Sequence, residues 1–292
     1  MDDMDSNALK IFLAVAEEGS VSRAAERLHC VQSNVTTRIR KLEADLGAEL
    51  FHRTRKGMGL SAAGHLLLPY ARSVTHLLHE ARAALDPSSA PCGPLRLGAM
   101  DTAAVVHLPA LLAGYHREYP DVDLQLSTGA SGEMVQRVLD YSLEGAFVGG
   151  RVEHPDIVAE EVLCEELVMV TSSTEPVVDE ESVLSVLVYR RGCSCRRKLE
   201  EWLKHTRRTP SRVVEMGALD AILGCVGAGM GITMLPRSFV TREPFRSLVH
   251  IHAVAPPFDR LPIQLIRRRD VQPSSAMHSF LGMARETLAA KS

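Results

Sequence analysis

No apolar run in this chain approaches the length needed to cross a bilayer, which removes a membrane-spanning helix from the reading. The opening Met1-Asp2-Asp3-Met4-Asp5 is acidic where a secretory signal would need cations, so a cytoplasmic location is expected. Aromatic residues make up only 4% of a chain that is 46% hydrophobic, an ordinary balance for a soluble globular protein. The 292 residues allow about two domains plus connections. Six scattered cysteines suggest no disulfide framework, and reduced thiols are expected. No serine or cysteine sits in a nucleophile motif with an identifiable base, and no metal-ligand cluster is visible. An enzyme, a metal centre and a cofactor are therefore not expected. An overall positive charge is missing too, since the net formal charge is −3.

What is present is local. Between Arg38 and Lys56, six Lys and Arg residues face three acidic ones, Glu43, Asp45 and Glu49, while the rest of the chain is mildly acidic. A basic footprint on one small face is enough for nucleic-acid binding. Leu9, Phe12, Leu13 and Ala16 recur at helical spacing. Gly19 ends that helix, and Ser20 is suited to cap a second one carrying Val21, Ala24, Ala25 and Leu28. After His29 and Cys30, a third helix has Val31, Val35, Ile39, Leu42 and Leu46 as its apolar stripe. Its other face carries Gln32, Ser33, Asn34, Thr36, Thr37, Arg38, Arg40 and Lys41. That layout fits a helix-turn-helix whose later helix enters the major groove of double-stranded DNA. Amides can pair with adenine, Arg with guanine, and cations further along with phosphates. Leu50-Phe51 and Leu60 read as two short strands with Arg53, Arg55, Lys56, Gly57 and Gly59 at their turn. Such a hairpin is a wing that can reach a flanking phosphate or the minor groove; taken alone, the run also fits a solvated charged loop.

Residues Met4 to about Leu60 resemble the winged helix-turn-helix of the LysR-type transcriptional regulators. The matching segments are Ala14 to Ser20, Ala24 to His29, the Gln32 to Glu43 helix and the Leu50-Phe51-His52-Arg53 wing. Cys30 stands where a small or valine-like residue is more usual, and Asn34 to Thr37 replace a commoner Ala-Leu-Ser run. The resemblance continues through the whole chain.

From Ser61 to about Leu85, Leu66, Leu67, Tyr70, Val74, Leu77, Leu78, Ala81 and Leu85 recur at helical spacing. This seam suggests coiled-coil-like self-association, with packing on its own wing domain as the alternative. Pro69 inside it should bend or loosen the helix. Asp86 to Pro94 reads as a linker. From Leu95 onward short aliphatic strands alternate with helices, an α/β pattern. The expected strands are Leu95–Ala99, Val122–Leu126, Gly145–Val148, Leu167–Thr171, Val186–Tyr189, Val213–Glu215, Ile232–Leu235 and Pro262–Arg267. Between them come one helix through Leu108 to Tyr115, others at Glu133–Leu139, Arg196–His205 and Leu219–Ala228, and a final helix Ser275–Ala290. Pro120 to Leu124, Glu165 to Val170 and Ala228 to Pro236 resemble the periplasmic-binding-protein-like domain of the LysR family, two lobes with a small-molecule cleft between them. The expected division is a DNA-binding domain over residues 4–61, a dimerisation helix and hinge over 62–91, and an effector domain over 92–292. Within the last, one lobe spans 92–163 plus 264–292 and the other 164–263.

Ligands in open α/β sheets bind at the carboxyl ends of strands near helix N-termini. That points to Met100, Asp101, Thr102 and Ala103, to Gly149 and Gly150, and to Cys193 and Ser194, with Thr102 favoured by the resemblance. A helix N-terminus suits an anion while Asp101 suits a cation, so the sign of the unidentified small-molecule effector stays open. Gly227 to Gly231 looks like a phosphate loop but follows a helix and precedes a strand, the reverse of the dinucleotide order. His250 and His252 could share a strand face, without a spaced third ligand. Cys193-Ser194-Cys195 precedes a helix with Arg196, Arg197 and Lys198. That setting lowers thiol pKa, so a redox switch and ordinary cleft packing are both open readings. The resemblance implies a homodimer or homotetramer that binds promoter DNA, answers an effector and contacts RNA polymerase, activating more often than repressing. The competing reading is a small-molecule-binding protein whose helical N-terminus makes protein contacts only.

Overall fold

A computed structural model of the protein describes residues 5–54, 57–84, 90–172 and 185–289. They form two compact units, one of residues 1–89 with 140–142 and the other of residues 90–139 with 143–292.

The first unit opens with α1 (Ser6–Glu18), whose N-cap Asp5 accepts the Asn7 amide at 3.0 Å and whose end is Gly19 at φ 59°. Ser20 caps α2 (Val21–Arg27) by accepting the Arg23 amide. His29 turns the chain at φ 51°, and α3 (Gln32–Leu46) follows, stopped by left-handed Gly47. β1 (Phe51–Thr54) and β2 (Gly57–Leu60) form an antiparallel hairpin in which Phe51 opposes Leu60. α4 (Ala62–Ala84) then runs uninterrupted through Pro69.

The core of this unit gathers Leu9, Phe12, Val15, Ala24, Ala25, Val35, Ile39, Leu42, Leu50 and Ala71, with the Phe12 and Phe51 rings 5.3 Å apart. Three expectations need correction. α1 packs against α2, α3 and α4 at once. It therefore buries Ala8, Ile11 and Ala14 beside Leu9 and Phe12, while Leu13 and Ala16 are only half-buried. In α3 the buried stripe is Val35, Ile39 and Leu42. Val31 is 67% exposed because it is the extended residue before the helix, and Leu46 is 41% exposed because the chain is leaving the core there. In α4 the apolar residues divide between two faces. Ala63, Leu67, Leu68 and Ala71 pack on the core, whereas Leu66, Tyr70, Val74, Leu77 and Leu78 are exposed. Leu85 lies outside the described residues.

In the second unit β3 (Gly93–Met100) lies parallel between β4 (Val122–Gly129) and β5 (Gly145–Gly149). The helix expected between β3 and β4 is two: α5 (Asp101–Val106) and α6 (Leu108–Glu118), meeting at His107. Pro109 explains the break, since it has no amide to continue α5 and is tolerated in the first turn of a new helix. α7 (Ser131–Leu139) leads to β5. The strand expected at Leu167–Thr171 is the second half of β6 (Ile157–Ser172), whose first half carries the half-buried Glu160 and the exposed Glu161.

β7 (Ser185–Tyr189) and β8 (Arg212–Met216) form a parallel pair around α8 (Ser194–His205). α9 (Leu219–Gly227), β9 (Thr233–Pro236), α10 (Arg237–Val240), β10 (Val249–Ala253), β11 (Arg260–Arg268) and α11 (Ser275–Ala289) complete the unit. Ile232, expected as the first residue of its strand, makes a lone bridge to Val186 instead. The large sheet runs β10-β6-β11-β5-β3-β4, with β9 also on β6. The antiparallel β6–β11 pairing slips between Ile263 and Gln264. Tyr115, Phe147 and Phe280 pack edge to face in this core, and the buried Tyr115 hydroxyl donates to the Ala276 carbonyl at 2.7 Å.

Candidate nucleic-acid interface and ligand cleft

α3 presents Ser33, Thr37 and Arg40 at i, i+4 and i+7, flanked by Asn34 and Lys41, all exposed. Arg40 and Lys41 make no ion pair among the described residues, so their charge faces solvent. Gln32 is exposed at the helix start. Two expected residues sit differently. The Thr36 hydroxyl donates back to the Gln32 carbonyl at 3.0 Å, and Arg38 leans off the face to pair with Asp5 at 3.3 Å. Arg55, Lys56 and the side chain of Arg53 lie outside the described residues.

The wing is fixed to this helix by a residue that sequence reasoning counted only as a negative charge. Glu43 accepts the Leu50 amide at 2.8 Å and the Phe51 amide at 3.3 Å through one carboxylate oxygen. On the other side the Met58 amide donates to the Gly19 carbonyl at 2.8 Å. A Cβ at Gly57 would collide with that same carbonyl, so the approach of hairpin to helix requires glycine. On α2, Arg27 is held by Glu17 at 2.6 Å, which raises its pKa further.

In the second unit the expected ligand residues converge. Met100, Asp101 and Thr102 follow β3, and Cys193 precedes α8. They meet in one cavity with Ser131, Tyr189 and Cys195, which were not anticipated as ligand contacts. Ala130, Leu219 and Leu235 complete its apolar wall. The cavity volume is about 10 Å³, room for about one water. Ala103, Gly149, Gly150 and Ser194 stand behind the lining rather than in it. Ala103 is core, and a Cβ on Gly150 would strike the Arg197 guanidinium.

Gly149 and Ser194 close a hydrogen-bond ring with Ser131. The Gly149 amide donates to Ser131 Oγ at 3.0 Å, and Ser194 Oγ donates to the Gly149 carbonyl at 2.7 Å. The Ser194 proton being used, Ser131 supplies the proton of the 2.7 Å contact between the two hydroxyls. All three residues are buried. The Gly132 amide adds a 3.1 Å bond to the Gly192 carbonyl. Only the position of Ser131 after a strand, at the start of a helix, could have flagged it.

Electrostatics around the cavity are uneven. Burial and then the Asp101 carboxylate raise the Tyr189 phenol. A hydrogen bond from the Cys195 thiol pulls Cys193 down to about 7, while the same bond and burial push Cys195 up. Elsewhere Glu165, buried in β6, contacts the His107 imidazole and accepts the Ser238 hydroxyl at 2.8 and 2.9 Å. The cluster joins α10 to the α5–α6 junction. His250 and His252 do lie together, with rings 4.7 Å apart, but His252 Nε2 bonds Thr171 Oγ1 at 2.9 Å. Burial and then His250 lower the His252 pKa. No group of three potential metal ligands occurs among the described residues. Gly229 and Gly231, at φ 84° and 152°, turn the chain from α9 into β9, as the order of elements suggested.

Comparison with known proteins identifies the family. Residues 6–65 match the bacterial regulatory helix-turn-helix protein family, lysR type, and residues 88–289 match the LysR substrate binding domain. The HTH-type transcriptional regulator GltR of Bacillus subtilis is 43% identical over 286 residues, covering 97% of each chain. CzcR of Bacillus thuringiensis subsp. konkukian, another HTH-type transcriptional regulator, is 39% identical over 95% of this chain and 96% of its own. Full-length CbnR in complex with its target DNA superposes with a TM-score of 0.66 at 26% identity, covering 99% of this chain and all of the other. Full-length OxyR of Pseudomonas aeruginosa shares the fold, with a TM-score of 0.78 at 19% identity over 99% and 95% of the two chains. Those relatives are regulators rather than enzymes, and the chain belongs to the LysR family of DNA-binding transcriptional regulators with an effector-binding domain.

Proposed function

We propose that the protein reads a pseudo-palindromic promoter site as a dimer or higher oligomer and, when its effector binds, activates rather than represses by contacting RNA polymerase. The observation that carries DNA reading is the single exposed face of α3, where the side chains of Ser33, Asn34, Thr37, Arg40 and Lys41 make no hydrogen bond or ion pair among the described residues. Asn34, Ser33 and Thr37 suit base edges; Arg40 and Lys41 suit phosphates. The wing cations Arg53, Arg55 and Lys56 take the flanking backbone. A DNA complex of the relative CbnR supports this assignment. The exposed seam of α4 supplies self-association, and the target places the protein in the cytoplasm.

The same reading keeps the division into residues 4–61, 62–91 and 92–292. In the last, the slip at Ile263/Gln264 makes a hinge between lobes 92–163 plus 264–292 and 164–263. Effector contacts then come from Met100, Asp101, Thr102 and Cys193, joined by Ser131 and Tyr189, once the lobes part.

A footprint of the purified protein on the intergenic DNA beside its own gene, across a salt series, tests this. Protection of a two-fold-related site with affinity falling steeply with salt is expected. Absence of binding at low salt, there and on genomic fragments, overturns it in favour of a small-molecule binder whose helices contact protein.

A further inference from the structure

The tripeptide Cys193-Ser194-Cys195 divides its side chains between two tasks. Both cysteines line the cavity, whereas Ser194 turns the other way and closes the ring with Gly149 and Ser131. Cys193 is the extended N-cap of α8, a 12-residue helix. The Cys195 and Arg196 amides face its sulfur without completing a cap hydrogen bond. Cys193 is partly exposed, and Cys195 is buried behind it, its thiol bonded to the Cys193 sulfur. DNA reading uses neither cysteine, and effector contact as proposed above uses only Cys193.

We propose that Cys193 is an oxidation site for hydroperoxides, with Cys195 as its resolving thiol, and that oxidation opens the cleft by withdrawing Ser194 from Gly149 and Ser131. The coupling to the cleft rests on the ligand-gated reading above; the thiol chemistry does not. A sulfur at a helix N-terminus that already receives a hydrogen bond is held towards the thiolate, the reactive form. In the first step the Cys193 thiolate attacks one peroxide oxygen. The S–O bond forms, the O–O bond breaks, and the departing alkoxide or hydroxide takes a proton to leave as alcohol or water. Cys193 is then a sulfenic acid. In the second step the Cys195 sulfur attacks Cys193 Sγ and gives up its proton. The S–S bond forms, the S–O bond breaks, and hydroxide leaves with that proton as water. Two thiols lose two electrons, and the peroxide gains them.

Geometry links this chemistry to the cleft. A disulfide needs the two Cβ atoms about 3.8 Å apart. Residues two apart, straddling the start of a helix, reach that only if the first turn of α8 moves. Ser194 lies between them and moves with it.

The test is kinetic and uses the full chain. Reduced protein is exposed to hydrogen peroxide, quenched at intervals with dimedone and a thiol-blocking reagent, and mapped by peptide mass. Cys92 and Cys164, both exposed, are internal controls. Cys193 is expected to oxidise about tenfold faster than either and to end in a disulfide with Cys195. In C195S the dimedone adduct accumulates on Cys193, and in C193S Cys195 stays reduced. Oxidation of Cys193 no faster than the controls, or of Cys195 first, overturns the site; the wild-type time course decides this whether or not the variants fold. Trp202, the one tryptophan of the chain, lies on α8 and reports the second half of the proposal. Its fluorescence should change with disulfide formation and return with dithiothreitol; an unchanged signal overturns the link to the cleft. Failure to bind promoter DNA leaves the mass result untouched, so the two readings fail separately.

Discussion

One oxygen of Glu43 receives the backbone amides of Leu50 and Phe51, at 2.8 and 3.3 Å, so a side chain of the DNA-reading helix holds the first strand of the wing. Glu43→Ala leaves two amides in a half-buried place without an acceptor, at a cost of about 1–3 kcal/mol. A lower urea midpoint is expected, with weakened promoter affinity on all sequences. Glu43→Gln keeps an acceptor and should recover most of both. Wild-type affinity and stability in Glu43→Ala would remove the tie between helix and wing.

Arg40 and Asn34 separate positioning from reading. Arg40→Ala should weaken binding uniformly across operator variants and reduce the salt slope by about one. Asn34→Ala should leave that slope alone and relax preference at one base pair, by about 1–3 kcal/mol. Gel-shift titrations on a set of single-base variants at several salt concentrations check both. The reverse pattern would exchange their roles.

Leu66 and Tyr70 are 72% and 70% exposed on α4, with Val74, Leu77 and Leu78 continuing the seam. Leu66→Asp together with Leu77→Asp should shift sedimentation towards monomer and abolish cooperative binding to a two-fold site. Because neither side chain contributes to the core, the unfolding midpoint of the monomer should stay within about 0.5 kcal/mol of the parent. Unchanged sedimentation would transfer self-association to another surface.

Arg285 grips both oxygens of Glu160 at 2.7 Å, and this hydrogen-bonded pair holds the Glu160 carboxyl below its usual range. A depressed folded-state pKa contributes stability above the unfolded value and loses it as pH falls through the folded one. Both side chains are more than a third exposed, so solvent screening limits the pair to below about 1 kcal/mol. Arg285→Gln should therefore lower the melting temperature slightly at pH 7, and the difference from the parent should shrink as pH falls through the carboxylate range. A difference that persists in acid would mean that Arg285 stabilises by packing.

Much of this molecule was legible in its residues, for identifiable reasons. Gly19 marks a helix end because few residues accept its left-handed backbone, Ser20 marks a helix start because its hydroxyl accepts the Arg23 amide, and the structure uses them so. The ends of α3 misled, since Val31 and Leu46 fit the period while the chain there has already left the core. Strand β6 hid its first half because Glu160 and Glu161 interrupt its apolar pattern. The break at His107 was written in Pro109, yet the apolar spacing runs through it and reads as one helix. Glu43, Ser131 and Glu165 escaped notice for a common reason. Each earns its role from a partner far along the chain or across a turn, which no local pattern encodes.

The small volume of the cavity between β3, α7 and α8 changes what effector affinity measures. A ligand too large for about 10 Å³ meets only molecules that have already opened, so its apparent dissociation constant is the intrinsic one divided by the open fraction. With about 1% of molecules open, a binder of micromolar intrinsic strength registers near 100 micromolar. The Ser131–Ser194 contact is thus a setting of the concentration threshold at which the regulator answers. A change at Ser194, which stands behind the lining, can retune that threshold without altering any residue that faces the ligand.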